Sequence, residues 1–184
     1  MAYDLLIRNG RIVDGSGMPS FMGDVAVKNG KIAEIGKLSG AADQIVDAGG
    51  QVVAPGFIDN HCHYDAQVTW DPLCSFSCDH GATSVVIGNC SLSLAPVKKG
   101  NATRMAEFLS YVEAIPMEVL NTIEVDWETF PQYMDRLDKR LGVNAGTLIG
   151  HTAVRYYAMG EDCQKRAATS RRVLVFLHLA AGRC

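Results

Sequence analysis

Short runs of alternating apolar and polar residues fill the first fifty positions: Asp4-Leu5-Leu6-Ile7-Arg8, Arg11-Ile12-Val13-Asp14, Asp24-Val25-Ala26-Val27, Lys31-Ile32-Ala33-Glu34-Ile35 and Gln44-Ile45-Val46-Asp47. They are divided by Asn9-Gly10, Asp14-Gly15, Asn29-Gly30 and Gly49-Gly50, pairs that tolerate positive φ and mark hairpin turns. The pattern predicts a small antiparallel sheet unit over residues 1–53, structural in role. From Val52 the rhythm changes to apolar strands separated by helical or loop stretches, the alternation that implies βα units and a parallel sheet. Strands are predicted at Val52–His63, Thr83–Asn89 and Thr147–Ile149, with a short helix within residues 66–80 and a cap at Gly81. Residues 100–140 read as helical, with apolar positions at i, i+3 and i+4 in Arg104–Leu109 and Phe130–Leu137. They take up length without adding a strand.

The predicted strand Val52–His63 ends in His61-Cys62-His63. On a strand, residues i and i+2 share a face roughly 6.5 Å apart, so both imidazoles can turn toward one ion while Asn60 and Cys62 face away. A pair of surface histidines at a strand end is the plainer alternative. Cys90 closes the run Ser84-Val85-Val86-Ile87-Gly88-Asn89-Cys90, which delivers its thiol to the same carboxyl-terminal face of the sheet, where parallel α/β sheets bind ligands. A thiol beside a divalent ion loses its proton and becomes a ligand; a strand-end cysteine is otherwise a small buried hydrophobe. Asp59 could orient the imidazoles or stabilise a turn. Asp65, two residues beyond His63, would share its face if the strand persists, and is the one internal carboxylate in reach of a proton-shuttle role.

Composition narrows the classes. The chain of 184 residues is 48% hydrophobic and 20% charged with a net charge of −3, so no basic surface points to nucleic acid or an anionic membrane. Its longest strongly apolar stretch, Val173 to Ala181, is far short of the roughly 20 residues of a membrane span. Asp4 and Arg8 interrupt the first apolar run, and no signal peptide or anchor is read there. Six cysteines in 184 residues are too sparse for a secreted disulfide scaffold and suit reduced thiols in the cytoplasm. Cys74 and Cys78 have no second pair to complete a zinc knuckle and are read as structural.

The stretches Gly56-Phe57-Ile58-Asp59-Asn60-His61-Cys62-His63-Tyr64-Asp65-Ala66-Gln67, Thr69-Trp70-Asp71-Pro72-Leu73, Gly81 to Cys90, and Gly150-His151-Thr152-Ala153-Val154-Arg155-Tyr156-Tyr157-Ala158-Met159-Gly160 resemble the N-acyl-D-amino-acid deacylase (D-aminoacylase) branch of the metal-dependent amidohydrolase superfamily. The likeness runs over about residues 3–169. It implies an α/β chain: an amidohydrolase-type (β/α) barrel, incomplete here, with a small β-sandwich segment. Residues 1–53 would belong to the sandwich, 54–169 to the first part of the barrel, and 170–184 to an atypical apolar tail that departs from the family pattern. The resemblance further implies zinc, one or two ions, held by His61, His63 and Cys90. Asp59, Asp65 and His151 are second-shell or substrate-lining candidates, and Arg155 matches the arginine of the last motif. The implied activity is hydrolysis of non-peptide amide bonds in N-acyl-D-amino acids.

Length sets a limit, because the 131 residues from Ala54 to Cys184 (184 − 54 + 1) are about half of what eight βα units take. The later histidine ligands and the catalytic aspartate of the family are not in the chain, and its catalytic residues stay unassigned. The sequence is therefore expected to be truncated relative to the family and inactive alone. An open sheet edge would favour self-association. A cyclic-amide or hydantoin-type hydrolase, and a metal-binding fragment without catalysis, are the alternatives.

Overall fold

The structure, a computed structural model, describes residues 2–138 and 141–173. From residue 174 onward the predicted apolar tail lies outside the described residues. The chain divides into two compact units, Met1–Gly56 and Phe57–Cys184.

In the first unit, β1 (Tyr3–Ile12), β2 (Phe21–Lys28), β3 (Lys31–Gly36), β4 (Ala42–Asp47) and β5 (Val52–Val53) form one five-stranded sheet. The Asn29-Gly30 turn is as the sequence predicts: both residues have positive φ, 52° and 70°, and they join antiparallel β2 and β3. Two expectations are corrected. The sheet is mixed, because β4 and β5 pair parallel to β1. Asn9-Gly10 is a bulge inside one continuous strand, not a hairpin. Asn9 takes φ 55°, its N–H is accepted by Asp24 Oδ1 at 2.9 Å, and its amide donates to Asp47 Oδ1 at 3.0 Å. Carboxylates from two neighbouring segments thus absorb the local kink, and the strand runs on. Gly10 has no room for a side chain, since a Cβ there would sit 2.6 Å from Val53 Cγ2.

In the second unit, β6 (Phe57–Asp59), β7 (Ala82–Ile87) and β8 (Asn144–Thr147) form a parallel sheet in the order β6-β7-β8. The predicted strand Val52–His63 is corrected to two short pieces, β5 and β6, so neither histidine of the motif lies on a strand. β8 ends at Thr147, two residues earlier than expected (149 − 147), and His151 opens a helix where a strand end was expected. The helical elements are α1 (Ser75–Asp79), α2 (Ala102–Glu113), α3 (Met117–Leu120), α4 (Phe130–Leu137) and α5 (His151–Met159). Helix α4 starts with a reciprocal capping box, Thr129 and Gln132 each accepting the other's backbone N–H. Helix α2 buries Met105, Ala106 and Leu109, a one-sided stripe. These side chains share a core with Val85 and Ile87 of β7, Leu94, Trp127 and Tyr133.

The core also contains a carboxylate. Asp65 has no exposed surface; its backbone carbonyl accepts from the Tyr133 hydroxyl at 2.9 Å and its Oδ2 from Gly88 N–H at 3.2 Å. Burial pushes the Asp65 carboxyl up to about 7, against the lowering effect of the Gly88 hydrogen bond. Gly88 itself has φ 80°, and a Cβ on it would collide with the Leu148 carbonyl oxygen.

Two outcomes are expected. Gly88→Ala combines a left-handed backbone with a backbone collision and should cost about 3 kcal/mol or more; an unchanged urea midpoint would refute that placement. Because the folded carboxyl of Asp65 titrates above its unfolded value, the native state binds the extra proton between about pH 4 and about pH 7. Its contribution to the stability of the metal-free chain is full at the acid end and falls as pH rises through that window, by up to the order of 4 kcal/mol. The difference in stability between wild type and Asp65→Asn, followed by chemical denaturation across pH 4–8, should show this slope; parallel curves would refute it.

Candidate metal centre

His61 and His63 sit in the irregular segment just beyond β6, and what orders that segment is the residue between them. Cys62 is turned inward, with its N–H 3.3 Å and its Sγ 3.4 Å from the Val86 carbonyl oxygen of β7. Burial, then the nearby Asp59 carboxylate, pushes the Cys62 thiol up to about 11, so it stays protonated and is unsuited to be a ligand. With Cys62 anchored on the sheet, the two histidines that flank it face the other way, His61 exposed and His63 half-buried.

Cys90 arrives from β7 through a turn in which Gly88, Cys90 and Ser91 all have positive φ, 80°, 53° and 69°. Non-glycine residues adopt that region at a cost of about 1 kcal/mol or more each. The turn is held by Asn89, whose amide donates to the Val86 carbonyl at 2.7 Å and to the Cys62 carbonyl at 3.4 Å. The result is an exposed thiol whose Sγ lies 3.2 Å from His61 Nε2. One ligand atom each of His61, His63 and Cys90 fall within 4.8 Å of one another. In a tetrahedral zinc site with Zn–N of about 2.0–2.1 Å and Zn–S of about 2.3 Å, neighbouring ligand atoms stand about 3.3–3.6 Å apart. The His61–Cys90 pair, at 3.2 Å, stands just short of that spacing, and the third member needs at most a shift on the order of 1 Å. Two imidazole nitrogens and a thiol are a donor set suited to zinc.

The residues around this cluster divide by what they touch. Asp59 Oδ1 accepts the His61 backbone N–H at 3.1 Å, a contact that stabilises the turn. Asp65 is linked to the Cys90 turn through the Gly88 N–H described above. His151 is the first residue of α5; its neighbour Thr152 donates its N–H to the Ser91 carbonyl at 3.0 Å, which docks that helix end on the Cys90 turn. Arg155 donates to the backbone carbonyls of Cys163 and Arg166, at 2.8 and 2.7 Å, and ties α5 to the segment after it. Sequence reasoning missed Glu113, the last residue of α2, whose Oε1 lies 3.6 Å from His63 Nδ1. A signal was present: a carboxylate on the last turn of a helix opposes the helix dipole and asks for a local reason. It also missed the clamp formed by Asn89, whose side chain bonds into the neighbouring loop.

Comparison with known proteins supplies the context. Residues 44–178 match the amidohydrolase family. An uncharacterised protein of Mycobacterium tuberculosis is 38% identical over 171 residues, 88% of this chain and 27% of the relative. A D-aminoacylase of Alcaligenes xylosoxydans xylosoxydans is 36% identical over 181 residues, 97% of this chain and 35% of the relative. In three dimensions, N-acyl-D-glutamate deacylase from Bordetella bronchiseptica, a crystal structure complexed with zinc and a phosphonate inhibitor, matches with a TM-score of 0.81 at 32% identity, over 97% of this chain and 35% of its own. An L-hydantoinase from Arthrobacter aurescens, 18% identical with a TM-score of 0.53 over 84% of this chain and 30% of its own, shares the fold alone. The chain thus spans about a quarter to a third of the length of these curated relatives. It has the amidohydrolase-like α/β fold and belongs to the amidohydrolase family, with D-aminoacylases among the proteins it is similar to.

Proposed function

We propose that the chain carries the His61, His63 and Cys90 part of a zinc-dependent hydrolase centre that acts on the amide C–N bond of N-acyl-D-amino acids. The observation that carries this reading is the 3.2 Å approach of Cys90 Sγ to His61 Nε2, with His63 in the same cluster. One or two divalent ions would be held there; when bound, zinc supplies Lewis acidity that polarises an amide carbonyl and acidifies a water. His61 and Cys90 would fix the ion from two adjacent segments, and Cys62, Asn89 and Gly88 would keep those segments in register.

Proton transfer to a leaving amine needs a carboxylate within hydrogen-bond reach of the reacting atoms. Among the described residues, three carboxylates stand near the cluster in other placements: Asp59 on the His61 N–H, Asp65 inside the core with Oδ2 on the Gly88 N–H and Oδ1 unpaired, and Glu113 beside His63. The 184 residues on their own are therefore proposed to bind metal without turning over substrate. An incomplete barrel fits the same reading, because Phe57 and Ile58 of β6 are each 70% exposed, whereas parallel strands are normally covered on both faces. The edges of β6 and β8 could pair with further strands or with a second copy of the chain. A thiolate ligand suits a reducing compartment such as the cytoplasm, and among the described residues no helix is long and apolar enough to cross a membrane. A cyclic-amide or hydantoin-type reaction has no support beyond the shared fold.

The purified chain should bind about one zinc, and His61→Ala or Cys90→Ser should weaken binding by more than the 10- to 100-fold typical of a lost outer partner. The exposed Cys78 provides the control, and Cys78→Ser should leave affinity unchanged. Equal zinc uptake by wild type and Cys90→Ser, measured by chelator competition, would overturn the reading. Loaded with zinc, the same chain is expected to release no amino acid from N-acetyl-D-amino acids; measurable turnover would show that one of these carboxylates is the missing acid and base.

A further inference from the structure

We infer that Glu113 is a positioning residue for His63: its carboxylate holds the imidazole in the tautomer that carries its proton on Nδ1, which leaves the Nε2 lone pair for a metal ion. The inference rests on the metal-binding reading above. The Nδ1 atom of His63 is buried and, among the described residues, has no hydrogen-bond partner, while Glu113 Oε1 stands 3.6 Å away. That separation is longer than a hydrogen bond, and a small rotation of either side chain closes it. Both side chains are about four-fifths shielded, at 19% and 21% exposure, so a charge at Glu113 interacts with the ring more strongly than it would in open solvent.

Helix α2 explains how the carboxylate comes to be there. Met105 and Leu109 are buried on its core side, and Glu113 follows Leu109 by four residues, so it continues the same stripe one turn further. Ala114 then takes φ 54° and ends the helix, which places Glu113 at the last turn, against the helix dipole. A carboxylate there is not favoured by the helix itself. Its position, one small rotation from Nδ1, suits the arrangement in which a metal-binding histidine donates its other ring N–H to a carboxylate, fixing tautomer and ring orientation. Among the described residues, no carboxylate is paired with the His61 ring: its backbone is held by Asp59 and its Nε2 faces Cys90.

The test compares wild type, Glu113→Ala, Glu113→Gln and His63→Ala in the full 184-residue chain. Cobalt(II) is the probe, followed by its thiolate charge-transfer absorption and by chelator competition. Glu113→Ala should weaken cobalt binding by about 10- to 100-fold, and Glu113→Gln, whose amide oxygen still accepts the N–H, should recover most of that loss. In the metal-free chain, nitrogen-15 long-range correlations should find the His63 proton on Nδ1 in wild type and Glu113→Gln and shared between both nitrogens in Glu113→Ala, with unfolding temperatures alike. Wild type that binds cobalt, with Glu113→Ala binding it equally tightly, overturns the positioning role and leaves the metal centre standing. Wild type that takes up no cobalt overturns the metal reading and this role with it. A loss confined to Glu113→Ala that tracks a lowered unfolding temperature and an unchanged tautomer makes Glu113 structural and overturns the inference.

Discussion

One carbonyl oxygen holds the two ligand-bearing segments together. Val86 O, on the central strand of the three-stranded sheet, accepts the Cys62 N–H, the Cys62 thiol and the Asn89 side-chain amide. The first two contacts fix the segment with His61 and His63; the third fixes the turn that presents Cys90. A carbonyl oxygen has two lone pairs, and the two N–H donors use them well, while the thiol adds a weak third contact. Each such bond contributes only about 1 kcal/mol net. Their value lies in register: with both segments tied to one atom, the distance between His61 and Cys90 is set by short, covalently limited paths and not by the packing of distant elements.

That register is maintained in spite of local strain. Gly88, Cys90 and Ser91 lie within four residues and all have left-handed backbones. Glycine accepts this freely, but Cys90 and Ser91 do not. Three of its backbone groups are held from outside or across the turn: Gly88 N–H by Asp65, the Asn89 carbonyl by Leu92 N–H at 2.9 Å, and the Ser91 carbonyl by Thr152 N–H. Gly150 has to be glycine for the last of these, since a Cβ on it would lie 2.6 Å from Ser91 O. Asp65 illustrates the cost. A carboxyl buried to the point of titrating near neutrality is unfavourable in the core, and its use there is as an acceptor for the Gly88 N–H.

Much of this was legible in the residues, and the misses have physical causes. The two-apart histidines and the cysteine after an apolar run were visible because strand ends on one sheet face converge whatever the loops do. The reason given for the histidines, that they lie on a strand, was wrong, yet their common direction survived, because Cys62 makes a strand-like bond to Val86 after β6 has ended. The Asn29-Gly30 hairpin was legible from local turn chemistry alone. Asn9-Gly10 carries the same chemistry and is a bulge, because Asp24 and Asp47 supply partners from 15 and 38 residues away. Glu113 lies fifty positions from His63 (113 − 63), and no local pattern connects them; the connection comes from helix α2 packing through Met105 and Leu109.

The donor set narrows which ion the proposed centre would prefer. Calcium and magnesium require oxygen ligands, six or more for calcium, whereas the three side chains that cluster here offer nitrogen and sulfur. Two imidazoles and a thiolate instead match borderline and soft ions. The contrast between the cysteines sharpens this. Cys62 and Cys90 both approach the end of β7, but Cys62 is buried and its thiol is pushed up to about 11, whereas Cys90 is exposed with a ring nitrogen 3.2 Å from its sulfur. A thiol must lose its proton to bind a metal. The fold thus spends one cysteine on anchoring the segment and offers the other to the ion, and it is the inward rotation of Cys62 that leaves His61 and His63 free to meet it.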